Sequence, residues 1–471
     1  MPHPTLEDLA SGKCVLPLTG LSLCFPEGPS FSGGGTLHVL DGQVRVTAVT
    51  QGGGEIIRQM ISKRGTPGLI RPDAHYLRLD AGLRDGGRVV TDNVRFTGYD
   101  AHAATGHVVW DIPPGGFDSQ VEITRTDDNF RCGPNVEAIF EAASWKTWTR
   151  RSMVVDDHPI FGATNDRLDW LQFESGSGGV CIRQSGDGQV RVHVRAAESG
   201  QGFRVCSAVG RAMSMLLGRH VRLIAMRGGV DGNEVTRLNI DRQRPTANAF
   251  AAPFSNDLTM ARDVESMLAC FTNFFAEESS RRMGDLLSAC RDVMDQNLTT
   301  QGMVHCATVE ALVEKECVFP DEVDSAVKDE SSKKESVDWP SFVGDVKEAV
   351  EGMPVQERIK QRFRSMMDRT NERSVRTTLH NLRTNRYAGI NREEVVAWTK
   401  LRNNVMHGDP AVVGEDDTVW QKAITRHYRV MNLINKLVMA QADYRGRFFS
   451  YPDWSVTTFE PLPSTATGPD A

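Results

Sequence analysis

The sequence predicts an α+β protein of more than one domain, with a β-rich, sandwich-like N-terminal half followed by an all-α helical bundle. Three observations carry that prediction. The chain has 471 residues, beyond the size at which a single hydrophobic core usually stops growing. Up to about residue 240, apolar and polar side chains alternate between glycine turns. From about residue 258 onward, apolar residues recur at spacings of three and four. The expected division is a β-rich domain over 1–245, a linker over 246–256, and a helical domain over 257–450 with a polar insertion near 318–340. A flexible tail is expected over 451–471.

The strand signals come first. GTLHVLDGQVRVTAVT alternates across Asp41-Gly42, with Leu37 and Val39 before the turn and Val44 and Val46 after it, a strong hairpin pattern. GGVCIRQSGDGQVRVHVRA repeats the device around Asp187-Gly188. Further strands are expected at 89–98, 106–112, 120–126, 137–140, 169–173 and 221–226. Many short strands with glycine-rich connections favour a sandwich or a bent antiparallel sheet. Within this half, 213–217 reads as a short helix, and Trp145 and Trp148 read either as an aromatic surface or as packing residues.

DRQRPTANAFAAPFS, rich in Pro, Ala and Asn, then reads as the linker. Helices are expected over 258–276, 281–294 and 301–317. KDESSKKESVDWP is too polar to pack, and helical patterning resumes at 341–350, 354–368, 375–386, 393–407 and 418–442.

Composition narrows the function classes. Hydrophobic residues make 40% and charged residues 24% of the chain, as in an ordinary folded protein. The formal charge of -7 argues against a protein that coats nucleic acid non-specifically, while leaving room for a local basic patch. Nine scattered cysteines without a CxxC pair point to buried thiols in a reducing compartment rather than structural zinc. Neither a signal-peptide pattern nor an apolar run of membrane-spanning length is present, so a cytoplasmic location is expected, with no membrane partner.

The segment LRNNVMHGDP carries the most specific chemistry. Asn391 can cap a helix with Glu393 and Glu394 in its first turn, and Val395, Trp398, Leu401 and Val405 trace its apolar stripe. Gly408 and Pro410 end it, which places His407 in the last turn. Asn403 and His407 share a face, whereas Arg402 lies roughly 140° around the axis from His407. A helix C-terminus favours a protonated histidine by about 0.3–1 kcal/mol. A histidine that exchanges a proton, beside a fixed guanidinium and an amide, suits RNA cleavage by the 2′-hydroxyl. Histidine would move the proton, Arg402 would hold the phosphate and Asn403 would orient either group. The same residue types also serve simply to end a helix by satisfying free carbonyls.

RNNVMH, with Arg402, the polar Asn403, three variable positions and His407, resembles the Arg-polar-x-x-x-His motif of HEPN ribonuclease domains. An earlier HCATVEALVEK helix, a variable polar insertion and a long helix after a short Gly/Asp loop extend that resemblance over about residues 255–445. The β-rich half followed by such a bundle resembles the ApeA family of bacterial antiphage defence proteins. The resemblance implies metal-independent RNA cleavage without a cofactor, at a composite site formed when two HEPN domains pair, here most simply in a homodimer or higher homo-oligomer. It further implies abortive defence, in which a phage-derived trigger unleashes cleavage of tRNA or other RNA. Catalytic roles would fall on Arg402 and His407, with Asn403 as their companion and Asn404 in a supporting place. The β half would sense infection, restrain the bundle or bind substrate.

The basic segment 359–386 supplies a candidate RNA track through Lys360, Arg362, Arg364, Arg373, Arg376, Arg383 and Arg386, with the alternative that it is a solvated helix face. His380 within it is a supporting candidate, as is Glu310 near the motif, while His305 reads as a satisfied core residue. Gly33–Gly35 and Gly52–Gly54 lack phosphate-loop spacing, and Asp156, Asp157 and His158 are assigned no metal. Two other classes compete with the enzyme: a non-catalytic RNA- or protein-binding regulator, and a carbohydrate-binding β domain fused to a helical signalling module.

Overall fold

The computed structural model describes residues 5–11, 13–24, 30–40, 43–50, 77–84, 86–94, 107–111, 120–125, 135–142, 170–176, 178–185, 188–196, 198, 200–239, 249–254, 263–277, 280–313, 348, 375–385, 389–406, 417–451 and 453–460. It is mixed α and β, with a large N-terminal antiparallel sheet and several helices, and it divides into two compact units. One comprises Met1–Pro245 and Asn256–Glu278, the other Thr246–Ser255 and Ser279–Ala471.

The first unit opens with helix α1 (Leu6–Ala10), started by a reciprocal cap in which the Asp8 amide donates to Thr5 Oγ1 and the Thr5 amide to Asp8 Oδ2. Thirteen strands follow: β1 (Lys13–Cys24), β2 (Ser30–Leu40), β3 (Gln43–Thr50), β4 (Leu77–Leu83), β5 (Arg88–Val94), β6 (His107–Asp111) and β7 (Gln120–Arg125), then β8 (Asn135–Glu141), β9 (Trp170–Ser175), β10 (Gly178–Ser185), β11 (Gln189–Ala196), β12 (Arg222–Val230) and β13 (Asn233–Asn239). All thirteen are hydrogen-bonded into one sheet, in the order β6-β3-β2-β1-β4-β5-β7-β13-β12-β8-β11-β10-β9. The two hydrogen-bonded sheets that a sandwich implies are therefore replaced, among the described residues, by one continuous antiparallel sheet.

Both expected hairpins form. Val39 pairs with Val44 and Leu37 with Val46 in the first, and Ile182 pairs with Val192 in the second. Alternation sends Leu37, Val39 and Val46 into a core that also holds Leu6, Leu9, Leu21 and Leu23.

Helix α2 (Gln201–Leu217) is much longer than the short helix expected at 213–217. It buries most of its small and apolar residues and leaves a narrow polar stripe of Arg204, Ser207 and Arg211 less buried. Gly210 lets α2 approach the sheet closely, since a Cβ there would stand 2.6 Å from the Phe140 ring. Helix α3 (Asp263–Ala276) also belongs to this unit, packing on α2 and β9, with Asn273 Oδ1 accepting the Gly176 amide at 2.8 Å. The helical unit thus begins near Ser279 rather than at 257.

The second unit contains α4 (Arg281–Asp292), α5 (Leu298–Val313), α6 (Val375–Asn385), α7 (Arg392–Met406), α8 (Asp417–Gln441) and a hairpin of β14 (Gly446–Ser450) and β15 (Ser455–Phe459). The segment expected to be a linker is part of this unit's packing. Phe250, Ala251 and Phe254 are buried, and Asn435 Nδ2 donates to the Ala251 carbonyl at 2.6 Å. The expectation of a flexible tail from 451 is likewise corrected, because β15 pairs with β14 and Phe459 is 1% exposed against Phe448. Long apolar side chains in a Pro/Ala-rich or Thr-rich stretch found partners that local composition does not announce. The expected helices at 341–350 and 354–368, and the polar insertion near 318–340, lie outside the described residues apart from Glu348.

Replacing Gly210 with alanine should destabilise the first unit by about 1–3 kcal/mol, because the added methyl must displace the Phe140 ring or α2 itself. Denaturant unfolding of the intact chain checks this through the midpoint of the β-unit transition.

Candidate active site at the end of helix α7

Helix α7 starts where its sequence says it should. Asn391 Oδ1 accepts the Glu394 amide at 2.9 Å, and the Asn391 amide donates to Glu394 Oε2 at 3.0 Å, forming a capping box. Glu394 is not the exposed first-turn acid that its sequence position suggests, since it is 1% exposed. Its other oxygen accepts from Lys436 Nζ on α8 at 2.7 Å and from Asn432 Nδ2. Burial pushes the Glu394 carboxyl above its ordinary range, while Lys436, Asn391 and Asn432 pull it back. The Lys436 ammonium also lies over the Phe448 ring, 5.6 Å from its centroid.

The apolar stripe of α7 is buried at Val395, Trp398 and Leu401, with Val405 partly exposed. It packs on α5 and α8 at a point set by Gly302, where a Cβ would meet Leu401, Val405 and His427 at 3.2–3.3 Å. The helix is therefore held at both ends of its stripe, and its C-terminal turn projects the polar residues of the motif.

Arg402 is half-exposed and donates from Nε to Glu310 Oε1 on α5 at 2.5 Å. Glu310, singled out from sequence as a supporting group, thus touches the motif arginine directly. Asn403 is exposed. Asn404 links α7 to α8: with its amide oriented to match donors to acceptors, it donates to the Lys400 carbonyl at 3.1 Å and accepts from Arg426 Nη1 at 3.2 Å. His407 lies outside the described residues, as do Lys360, Arg362, Arg364, Arg373 and Arg386.

Of the candidate RNA track, Arg376 and Arg383 are on α6 together with His380. Partial burial lowers the His380 pKa, and the fields of Arg376, Arg383 and Arg392 lower it further, so these three guanidinium groups share one positive locality. Arg392, the first residue of α7, was not a sequence candidate. Its membership depends on how α6 packs against α7, which spacing along the chain does not encode.

His305 on α5 occupies the core as expected. Its polar contact is with the Cys290 backbone, short of full hydrogen-bonding geometry, and neither ring nitrogen of His427 on α8 meets that geometry. The two rings lie 6.2 Å apart, and Phe250 meets His305 edge-on at 5.5 Å. Burial, then the neighbouring His427, lowers His305 to about 3, with the Cys290 carbonyl opposing slightly. Burial, then Arg426, lowers His427 to about 4. Both imidazoles are neutral at physiological pH.

Among the described residues no group of three or more His, Cys, Asp or Glu is placed to hold a metal ion. Seven described cysteines are free thiols, and burial raises those of Cys181, Cys290 and Cys306 to about 12, which makes them poor nucleophiles. The trio Asp156, Asp157 and His158 and the tryptophans 145 and 148 lie outside the described residues. No described helix is long and apolar enough to cross a membrane. No protein-family model, curated protein or solved structure matches the chain.

Two outcomes follow from this geometry. Lys436→Met leaves the Glu394 carboxylate buried beside no cation and should cost about 3–5 kcal/mol, read by denaturant unfolding at neutral pH. The buried histidines set an acid limit. Their folded pKa values lie below the ordinary 6.5, so the unfolded chain binds the extra protons, and the two histidines' contribution to stability should be constant above about pH 6.5. It should then fall toward pH 4 by up to about 1.4 kcal/mol per pH unit for each histidine. His305→Leu and His427→Leu should each flatten that slope in a pH series of unfolding measurements.

Proposed function

We propose that the chain is a metal-independent endoribonuclease of bacterial antiphage defence, with the HEPN-type helical unit carrying the chemistry and the β-rich unit sensing or restraining it. The observation that carries this reading is the pairing of a half-exposed Arg402 with an exposed Asn403 on the last turns of a helix anchored from inside the unit. His407 follows one residue beyond the described part of that helix. Arg376, Arg383 and Arg392 add a positive locality on α6 and α7 of the same unit, which suits an RNA backbone despite the negative total charge.

In the proposed reaction His407 takes the proton of a 2′-hydroxyl. The 2′-oxygen attacks the adjacent phosphorus, and the bond to the 5′-oxygen breaks as that oxygen receives a proton. The products are a 2′,3′-cyclic phosphate and a 5′-hydroxyl. In a homodimer the two His407 side chains divide the base and acid roles, while Arg402 neutralises charge on the non-bridging oxygens. No cofactor enters this scheme. tRNA or another host or phage RNA is the proposed substrate, and a phage-derived component the proposed trigger.

The Arg402–Glu310 ion pair favours a second reading. A guanidinium already engaged by a carboxylate of its own chain suits a non-catalytic RNA- or protein-binding regulator. Within the nuclease reading, the same contact is one that a phosphate must displace or share.

The deciding measurement combines phage challenge with end-mapping of total RNA in cells carrying the wild type or Arg402→Ala/His407→Ala. The nuclease reading expects new 2′,3′-cyclic ends, retained in purified protein with EDTA, and the loss of both cleavage and protection in the double variant, by at least about 100-fold in rate. Protection that survives the double substitution assigns the chain to the regulator class. Glu310→Gln should tighten RNA binding several-fold if the carboxylate competes with phosphate for Arg402.

A further inference from the structure

The β14–β15 hairpin ends in a turn whose last residue, Trp454, is 63% exposed and has φ +53°. That backbone conformation favours glycine, and for a bulky side chain it is a marked outlier. Here an indole is displayed at a place where both burial and backbone preference argue for something smaller, and such outliers cluster at ligand-binding sites.

The surroundings give the display a chemical character. Tyr428 of α8 and Tyr451 stack in parallel at 5.4 Å with 9° between their planes. Trp454 meets Tyr451, Tyr428 and Phe449 at 5.2, 5.9 and 6.0 Å, inclined at 62–71° to each. None of the three lies flat on the indole, and with all three against it Trp454 keeps 63% of its surface exposed. Strand alternation places Arg447 on the same side of β14 as Phe449, while Phe448 and Ser450 point into the core. An arginine and a braced, exposed aromatic on one side of a small sheet are the elements with which proteins hold single-stranded nucleic acid.

We propose that Trp454 is a stacking platform for an unpaired base of the RNA substrate, an inference that rests on the ribonuclease reading for its choice of ligand. The platform and the motif share one unit and are joined through α7. Arg429, next to Tyr428, pairs with Glu393 at 2.5 Å in the first turn of α7, and Arg402 lies nine residues further along the same helix, a rise of about 14 Å. The platform would thus confer a preference for unpaired RNA on a site whose phosphate contacts carry no sequence information.

The test is fluorescence anisotropy with a labelled short oligoadenylate and a matching abasic ribose-phosphate strand, on the full chain carrying Arg402→Ala so that the strand stays intact. Trp454→Gly relieves the left-handed backbone, and its far-UV circular dichroism and melting temperature verify the fold. We expect it to weaken oligoadenylate binding by about 5- to 100-fold, Trp454→Phe to stay within about 3-fold, and the abasic strand to show no difference among the forms. An unchanged oligoadenylate affinity in Trp454→Gly overturns the proposal, as does an equal loss with the abasic strand. A change in molar mass with unchanged RNA affinity also overturns it and reassigns the surface to self-association. RNA cutting by the chain with native Arg402 is scored separately. Stacking without new RNA ends in phage-challenged cells sinks the ribonuclease reading alone, and cutting that is indifferent to Trp454 sinks the platform alone.

Discussion

The carboxylate of Glu394 is the point from which the helical unit is arranged. It closes the capping box that starts α7, pairs with Lys436, and receives the Asn432 amide, which also reaches Ser450 on β14. The carboxylate joins α7 to α8 directly and reaches β14 through Asn432. Burying a carboxylate and an ammonium together costs several kcal/mol per ion in desolvation, which close contact and full hydrogen bonding offset only when the geometry is maintained. Such a pair therefore penalises any other placement of α7 against α8. Because a helix is stiff, fixing its first turn also sets where Arg402 and Asn403 emerge some nine residues later.

The middle of the unit is held by a different device. Gly302 removes a side chain where α5, α7 and α8 converge, and the space is filled by Leu401, Val405 and the edge of His427. His305 and His427 sit here as neutral, largely apolar rings, with Phe250 from the 249–254 segment against one of them. Protonating either ring would place a charge among groups that cannot solvate it. The packing that positions the motif helix and the acid sensitivity of the unit thus have one origin.

Local signals in the chain proved readable where short-range chemistry governs. The Val39/Val44 and Ile182/Val192 hairpins follow from alternation around Asp-Gly turns, and the Asn391 cap with the Val395, Trp398, Leu401 stripe follows from cap chemistry and helical period. Reading failed where neighbours distant in sequence decide. Helix α2 buries all but a narrow polar stripe against neighbours distant in sequence, Phe250 meets His305 far along the chain, and β15 depends on pairing with β14 and on Phe448 for the burial of Phe459.

By itself the sequence determined the alternation of β-rich and helical texture, the start of α7 and the identity of the polar residues on its last turns, because these depend on contacts within a few residues. Only the tertiary structure decided that one sheet takes all thirteen described strands of the first unit, that α3 belongs with that sheet, that Glu394 is buried against Lys436, and that Glu310 engages Arg402. The physical reason is that desolvation and ion pairing depend on which groups meet in space. The Glu394–Lys436 and Glu310–Arg402 pairs join residues 42 and 92 positions apart, a separation across which no local periodicity or propensity carries information.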